Sequence, residues 1–302
     1  MAATITIFES MFTSFEANLT STITTGAGNV ISLISSIMSV CFLIYLLLIT
    51  FSYWRGNSLE EPMLDFFQRM IGWVTVLTFG MNATYYTTYV VPFAYNLGDQ
   101  LATAVTGTTV SGSGLDALLN TYLTGIDTLF QNAHGISGWI VAICMYAVIV
   151  LLGIPFIGIA AAYILLAKLS LTIVLALGPI FISLALFPAT RNFFTAWTAQ
   201  VANYILLVPL YAIAGQLEVN FATSHATTTP GAAAVLQEAV MGVAFLVISL
   251  SLPSVAAALS GGAVVSTNFN KFASMLRAGA SVAKALKDWE DRNRNKGGSI
   301  KG

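Results

Sequence analysis

The feature that most constrains this chain is an apolar run of 49 residues, Trp139–Phe187, which contains a single charged residue, Lys168. A fully helical run of this length would measure about 73 Å, whereas the hydrocarbon core of a bilayer is about 30 Å thick. The run therefore has to turn, break or project beyond a membrane. Of the 302 residues, 57% are apolar and 8% are charged, which is too little charge for the surface of a soluble domain of this size. These numbers exclude an ordinary soluble enzyme and predict an all-α polytopic membrane protein.

Four other segments are long and apolar enough to be counted as crossings. They are Asn29–Ser52, Met70–Pro92, Gln200–Leu217 and Ala239–Ser260. Together with residues 139–187 they predict about five transmembrane helices. Two arrangements of residues 139–217 stay open. In one, 139–187 crosses once, with an extra apolar helix at the outer face, and 200–217 crosses back. In the other, 139–163 and 166–187 form a hairpin with Lys168 at its inner turn, and 200–217 is re-entrant.

The distribution of charge predicts the orientation. Segments 1–28, 93–138 and 218–238 contain no Lys or Arg, whereas the hairpin 54–69 carries Arg55 and Arg69. Residues 271–302 hold eight more basic residues. Basic loops stay on the cytoplasmic side, so we expect the N-terminus outside and the C-terminus inside. The predicted regions are an outer segment 1–28, two spans in 29–92, an outer segment 93–138, a bundle 139–260 with broken helices and an outer loop 218–238, and a basic tail 261–302.

Amphipathic helices are predicted outside the spans. Near the N-terminus, Phe8, Phe12, Phe15 and Leu19 recur at helical spacing and form one apolar face. This helix is expected to lie on the membrane surface or against a partner. A second apolar stripe follows within residues 115–130. The basic tail repeats the pattern and is expected to contact anionic phospholipid.

No pattern predicts catalysis, a cofactor or a metal. The sequence has no phosphate-binding Gly-x4-Gly-Lys-Ser/Thr loop. His134 and His225 lie in separate outer segments, and Cys41 and Cys144 lie in apolar runs without zinc-site spacing. A non-enzyme is therefore predicted. Lys168 is the one charge deep in an apolar run, and two interpretations are open: a side chain that reaches a leaflet edge, or a charge that lines a pore or a protein interface.

One stretch of the sequence contains a specific motif. It reads Ala176-Leu177-Gly178-Pro179-Ile180-Phe181, then Phe187-Pro188-Ala189-Thr190-Arg191-Asn192-Phe193-Phe194, then Trp197 and Asn203-Tyr204. An apolar helix breaks at Leu-Gly-Pro, a short turn follows, and an aromatic helix begins. This stretch resembles the polytopic inner-membrane component of bacterial type IV secretion systems, the TrbL/VirB-six family. The layout of spans, outer segments and basic tail is similar as well. Gly178, Pro179, Phe187, Pro188, Arg191, Phe194 and Trp197 are therefore candidate motif or interface residues.

The resemblance implies a non-enzymatic subunit of a conjugation machine in the bacterial inner membrane. It implies a ring-like homo-oligomer that acts as a channel or assembly platform for DNA or protein transfer and pilus biogenesis. The partners it implies are pilin, a minor pilus-tip protein, inner-membrane scaffold proteins and the ATPases that supply energy. A different reading is an autonomous secondary transporter or small-solute channel. That class usually shows an internal repeat with paired broken helices, which we do not find in this sequence.

Overall fold

The structure, a computed structural model, describes residues 6–54, 60–107, 111–187, 189–226 and 232–261. Within these ranges the chain forms helices and turns and no strand. The α-helices are α1 (Ile7–Trp54), α2 (Glu60–Gly80), α3 (Ala83–Tyr85), α4 (Val91–Thr106), α5 (Ser111–Gln131), α6 (Gly135–Val148), α7 (Ile154–Ala176), α8 (Gly178–Leu184), α9 (Arg191–Ala226) and α10 (Ala232–Leu259). Two π-helical turns, Tyr86–Val90 and Ile149–Gly153, join α3 to α4 and α6 to α7.

Four helical stretches of the described chain are long and apolar enough to cross a membrane. They are Ile7–Phe51, Gly135–Ala176, Arg191–Ala222 and Ala233–Leu259, and Met70–Gly80 is a shorter apolar helix. The prediction of an all-α polytopic membrane protein is thereby confirmed. The predicted span 70–92 is interrupted after Gly80, where the Asn82 side chain accepts a hydrogen bond from the Tyr85 N–H and starts α3.

The long apolar run breaks at the Leu-Gly-Pro sequence. Helices α6 and α7 continue one another through the π turn, so the chain is helical from Gly135 to Ala176, and Lys168 lies inside α7. The hairpin alternative with a turn at Lys168 is therefore wrong. The helix ends instead at Ala176, α8 starts at Gly178, and α9 starts at Arg191.

Helix α1 is longer than the sequence predicts. It is one 48-residue helix that passes the expected boundary at 28/29 without interruption, and at 1.5 Å per residue it measures about 72 Å. Its first half buries an apolar face that includes Phe12, Leu19 and Ile23. Its second half exposes large apolar side chains, among them Leu33 and Leu47, as expected of a surface that lipid or another subunit covers.

Two apolar cores hold the bundle together. One contains Phe12, Tyr122, Phe156 and Tyr211 and joins α1, α5, α7, α9 and α10. The other joins α1, the first π turn, α4, α7 and α9 around residues such as Tyr86. Helices α1, α7 and α9 contribute to both cores and therefore link them. Pro188, the side chains of Arg55 and Arg69, and the basic tail from residue 262 lie outside the described parts of the chain.

Candidate functional site

A buried ion cluster surrounds Lys168. The lysine ammonium donates to the carboxylate of Glu16 on α1 and to Asp99 Oδ2 on α4, the latter at 2.6 Å. The Lys168 Nζ also lies 5.5 Å from the centre of the Tyr95 ring, within the range of a cation–π contact. The Lys168 side chain is 2% exposed, whereas Glu16 and Asp99 are 30% and 26% exposed. The ammonium therefore lies inside the protein, and its partners keep some contact with the surroundings.

This cluster joins three helices. A buried ammonium without a counter-charge would be strongly unfavourable, because its hydration is lost. Glu16 and Asp99 supply that counter-charge from two different helices, which fixes α1 and α4 against α7. Burial, followed by the charges of Glu16 and Asp99, raises the pKa of the Tyr95 hydroxyl above its ordinary value. Tyr95 therefore stays neutral beside the ions.

The helix break at Leu177 is closed by two aromatic side chains. Pro179 has no N–H, so it cannot donate to the Leu175 carbonyl four residues earlier. The Tyr86 hydroxyl donates to that carbonyl at 2.6 Å, and the Trp197 indole N–H donates to the Val174 carbonyl at 2.9 Å. Backbone groups released within a membrane bundle are tolerated only when protein or water satisfies them. Tyr86 and Trp197 satisfy these two.

Gly178 leaves the space that this arrangement needs. A Cβ atom at position 178 would overlap the Tyr86 hydroxyl oxygen and would lie 3.0 Å from Trp197 Cζ2. Gly178 and Pro179 are both buried. The glycine of the Leu-Gly-Pro break thus allows close packing of Tyr86 and Trp197, and the proline interrupts the backbone hydrogen bonds of the helix.

A second proline is compensated in the same way. Pro253 lies inside α10, where it removes the donor for the Ser249 carbonyl. The Tyr211 hydroxyl on α9 donates to that carbonyl at 2.5 Å. Both α9 and α10 continue as helices through their internal prolines, Pro209 and Pro253.

The other residues of the motif differ in burial and in the side chains that they contact. Trp197 is buried and stacks near Phe181 and Phe194, with ring centroids 6.4 and 5.9 Å away. Phe187 is half-buried and meets Trp73 of α2 edge to face. Arg191 is exposed at the start of α9.

The N-terminal apolar face packs against the chain itself. Phe12 and Leu19 are buried, and Phe8 and Phe15 are half-buried against the two cores. The buried Asp116 carboxylate of α5 accepts the Phe8 N–H at 3.0 Å and the Glu9 N–H at 2.9 Å. Asp116 thereby caps the first turn of α1 from another helix.

Another buried polar pair joins α5 to α9. The Tyr122 hydroxyl donates to Oε1 of Glu218, and the Glu218 residue is 2% exposed. Burial raises the pKa of Tyr122 above its ordinary value. The phenol is therefore the donor of this pair.

The polar contacts described above each join two elements of the bundle. No three His, Cys, Asp or Glu side chains gather in a metal-binding group within the described ranges. The polar groups instead link helices. Sequence reasoning singled out Lys168, Gly178, Pro179 and Trp197, but it missed Glu16 and Asp99 as partners of Lys168, Tyr86 and Tyr211 as donors to free carbonyls, and the pair Tyr122–Glu218. A buried lysine does signal that a carboxylate partner exists, but it does not say which one.

Comparison with known proteins gives a consistent family. Residues 42–259 match the family described as TrbL/VirB6 plasmid conjugal transfer protein. The chain is also similar to two proteins that each carry the name type IV secretion system protein VirB6. The one from Bartonella quintana (strain Toulouse) is 24% identical over 262 residues, and the one from Bartonella henselae (strain ATCC 49882 / DSM 28221 / CCUG 30454 / Houston 1) is 25% identical over 262 residues. Each alignment covers 84% of this chain and 80% of the relative.

Proposed function

Because the chain belongs to the TrbL/VirB6 family of plasmid conjugal transfer proteins, we propose that it forms an oligomeric channel or assembly platform of a type IV secretion machine, for transfer of DNA or protein and for pilus biogenesis. Membership makes it a multi-pass inner-membrane subunit of such a system. The single observation that carries the proposal is the family match over residues 42–259. That range includes Lys168, the Leu-Gly-Pro break and all of α9 and α10.

The proposed orientation places the N-terminus in the periplasm and the C-terminus in the cytoplasm. The basic residues of the sequence support it, since the outer segments contain none and the tail contains eight within residues 271–302. Arg191, exposed at the start of α9, is then a cytoplasmic-side anchor next to aromatic residues.

Labelling of engineered cysteines tests this orientation. In a variant with Cys41→Ser and Cys144→Ser, a membrane-impermeant thiol reagent added to intact spheroplasts should label His225→Cys and should not label Arg191→Cys. Both should be labelled after lysis. Labelling of Arg191→Cys in intact spheroplasts would contradict the orientation.

Assembly as a ring-like homo-oligomer is part of the proposal. The large apolar side chains exposed on the second half of α1, on α6 and on α10 support it, since lipid and neighbouring subunits can share such surfaces. We propose that the partners include pilin, a minor pilus-tip protein, inner-membrane scaffold proteins and ATPases. We propose no catalytic role and no cofactor, so energy would come from those ATPases. Lys168 would act as an interface charge between the helices of one subunit.

A secondary transporter or small-solute channel is the second candidate. The buried cluster of Lys168, Glu16 and Asp99 is the observation that favours it, because buried ionisable groups often mark transport pathways. The two functions predict different companions on purification: other secretion subunits for the first, and a bound small solute for the second.

Purification of the full-length chain from its host in mild detergent separates these candidates. We expect a ring-shaped particle in electron micrographs and co-purification of other secretion subunits. A monomer that carries no secretion subunit and binds a small solute would contradict the proposal and favour a transporter. A matched preparation of Arg191→Glu should show reduced membrane levels or reduced assembly, because the charge change opposes its anchoring role.

A further inference from the structure

The Glu218 carboxyl is the most unusual polar group in the described bundle. Its residue is 2% exposed, and its Oε1 accepts the Tyr122 hydroxyl. Its other oxygen, Oε2, is buried and has no hydrogen-bond partner among the described residues. The backbone of Gly153 packs closely against the Tyr122 ring, since a Cβ there would lie 2.7 Å from Tyr122 Cε2.

The groups that face Glu218 do not compensate a negative charge. From α5 the facing group is the neutral Tyr122 phenol, and from α10 it is Glu238, a second carboxyl. The π turn before α7 meets the Tyr122 ring through Gly153, which has no side chain and brings no charge. Lys168, the buried lysine, is paired with Glu16 and Asp99 instead.

An ionised carboxylate in this position would lose its hydration without gaining a cation. Such burial is strongly unfavourable, and a buried acid without a counter-charge binds a proton instead. One phenol donor compensates only part of the loss, because the second oxygen receives no donor from the described residues. We therefore propose that Glu218 is a proton-binding site that holds α5 against α9 while the proton is bound and weakens this docking when the proton leaves.

The consequence extends to the start of the chain. Helix α5 carries Tyr122, which contacts Glu218, and Asp116, which accepts the N–H groups of Phe8 and Glu9. Release of α5 from α9 would therefore also loosen the first turn of α1. The sign follows from the charge: docking is retained at low pH and weakens as the pH rises and Glu218 becomes negative beside Glu238.

Infrared spectroscopy tests the protonation directly. The full-length protein in liposomes at neutral pH should show the C=O stretching band of a protonated carboxyl, and Glu218→Gln should lack it. Glu238→Gln is the matched control, since it removes the neighbouring carboxyl and leaves Glu218 in place. If the spectrum of Glu218→Gln contains the same protonated-carboxyl bands as that of the wild type, the proposal is overturned.

Hydrogen–deuterium exchange tests the effect on docking. After correction for the intrinsic pH dependence of exchange, protection of α5 in the wild type should fall about tenfold per pH unit once the proton is released, as expected for one linked proton. Glu218→Gln cannot lose a proton, and its amide oxygen still accepts from Tyr122, so its α5 protection should be independent of pH. Equal pH dependence in the two proteins, or none in either, would contradict the proposal.

Discussion

Two prolines of this bundle, Pro179 and Pro253, remove backbone donors that tyrosine hydroxyls replace. The carbonyls of Leu175 and Ser249 lose their helical partners to Pro179 and Pro253, and Tyr86 and Tyr211 donate to them instead. Both hydroxyls come from a different helical element than the carbonyl that they satisfy. The same bonds that repair the backbone therefore also hold helices together.

The variant Tyr211→Phe should destabilise the bundle by about 1–3 kcal/mol, because it leaves the buried Ser249 carbonyl without a donor. Adding Pro253→Ala should recover much of the loss, since alanine restores the N–H that proline lacks. Thermal unfolding in mild detergent measures both effects.

Tyr89→Phe is the matched control for the lost hydroxyl, because Tyr89 is exposed. It should leave the unfolding temperature within experimental scatter. A Tyr211→Phe protein as stable as Tyr89→Phe would show that the hydroxyl bond contributes nothing.

The Lys168 cluster gives a second prediction at this scale. Lys168→Met keeps an apolar stem of similar length but removes the ammonium that Glu16 and Asp99 share. Breaking a buried ion pair by removing one partner costs about 3–5 kcal/mol, and we expect about 3 kcal/mol because these carboxylates are partly exposed.

Neutralising both carboxylates in the same protein, as Glu16→Gln and Asp99→Asn, should rescue much of the stability of Lys168→Met. Denaturation of the single and triple variants in detergent provides the comparison. If the triple variant is less stable than Lys168→Met alone, the destabilisation comes from lost packing and not from unpaired charge.

In each of these contacts, one partner can be predicted from the sequence and the other cannot. Lys168 and Pro179 stand out because a charge or a proline in an apolar run is visible locally. Their partners do not, since Glu16 lies 152 residues from Lys168 and Tyr86 lies 89 residues from Leu175. Only the packing of α1 beside α7 shows that Glu16 meets a lysine.

At the scale of a single element, helix α1 was predicted in part. Its apolar stripe at Phe8, Phe12, Phe15 and Leu19 was predictable from spacing, and so was its apolar second half. Its continuity was not, because the sequence from 26 to 29, Gly-Ala-Gly-Asn, looks like a boundary. In the structure Gly26 is close to α7, where a Cβ would lie 3.2 Å from the Ala176 Cβ. Close packing thus accounts for a glycine that reads as a break in the sequence.

Asp116 gives a test at the element scale. Asp116→Ala removes the acceptor of the Phe8 and Glu9 N–H groups, and loss of such a cap costs about 1 kcal/mol. We expect faster amide exchange in the first turn of α1 and little change in its second half. Asp127→Ala on the same helix is the control, because Asp127 is exposed. Equal exchange in the two variants would mean that Asp116 does not fix the start of α1.

At the scale of the whole molecule, composition and hydropathy already indicate a helical membrane protein. What they left open was the register of residues 139–217, because a long apolar run fits either one kinked helix or a hairpin. The structure excludes the hairpin, because α7 continues past Lys168 and ends at Ala176. The packing of α9 against both cores then makes the family motif an internal feature of the bundle, with Trp197 buried and Arg191 exposed at its edge.

The most direct measurement of the proposed function is substrate transfer by the bacterial host after in-frame deletion of the gene. We expect transfer and pilus formation to be lost and to return when the full-length protein is supplied from a plasmid. Unchanged transfer in the deletion strain, with altered movement of a small solute across its membrane, would contradict a role in secretion.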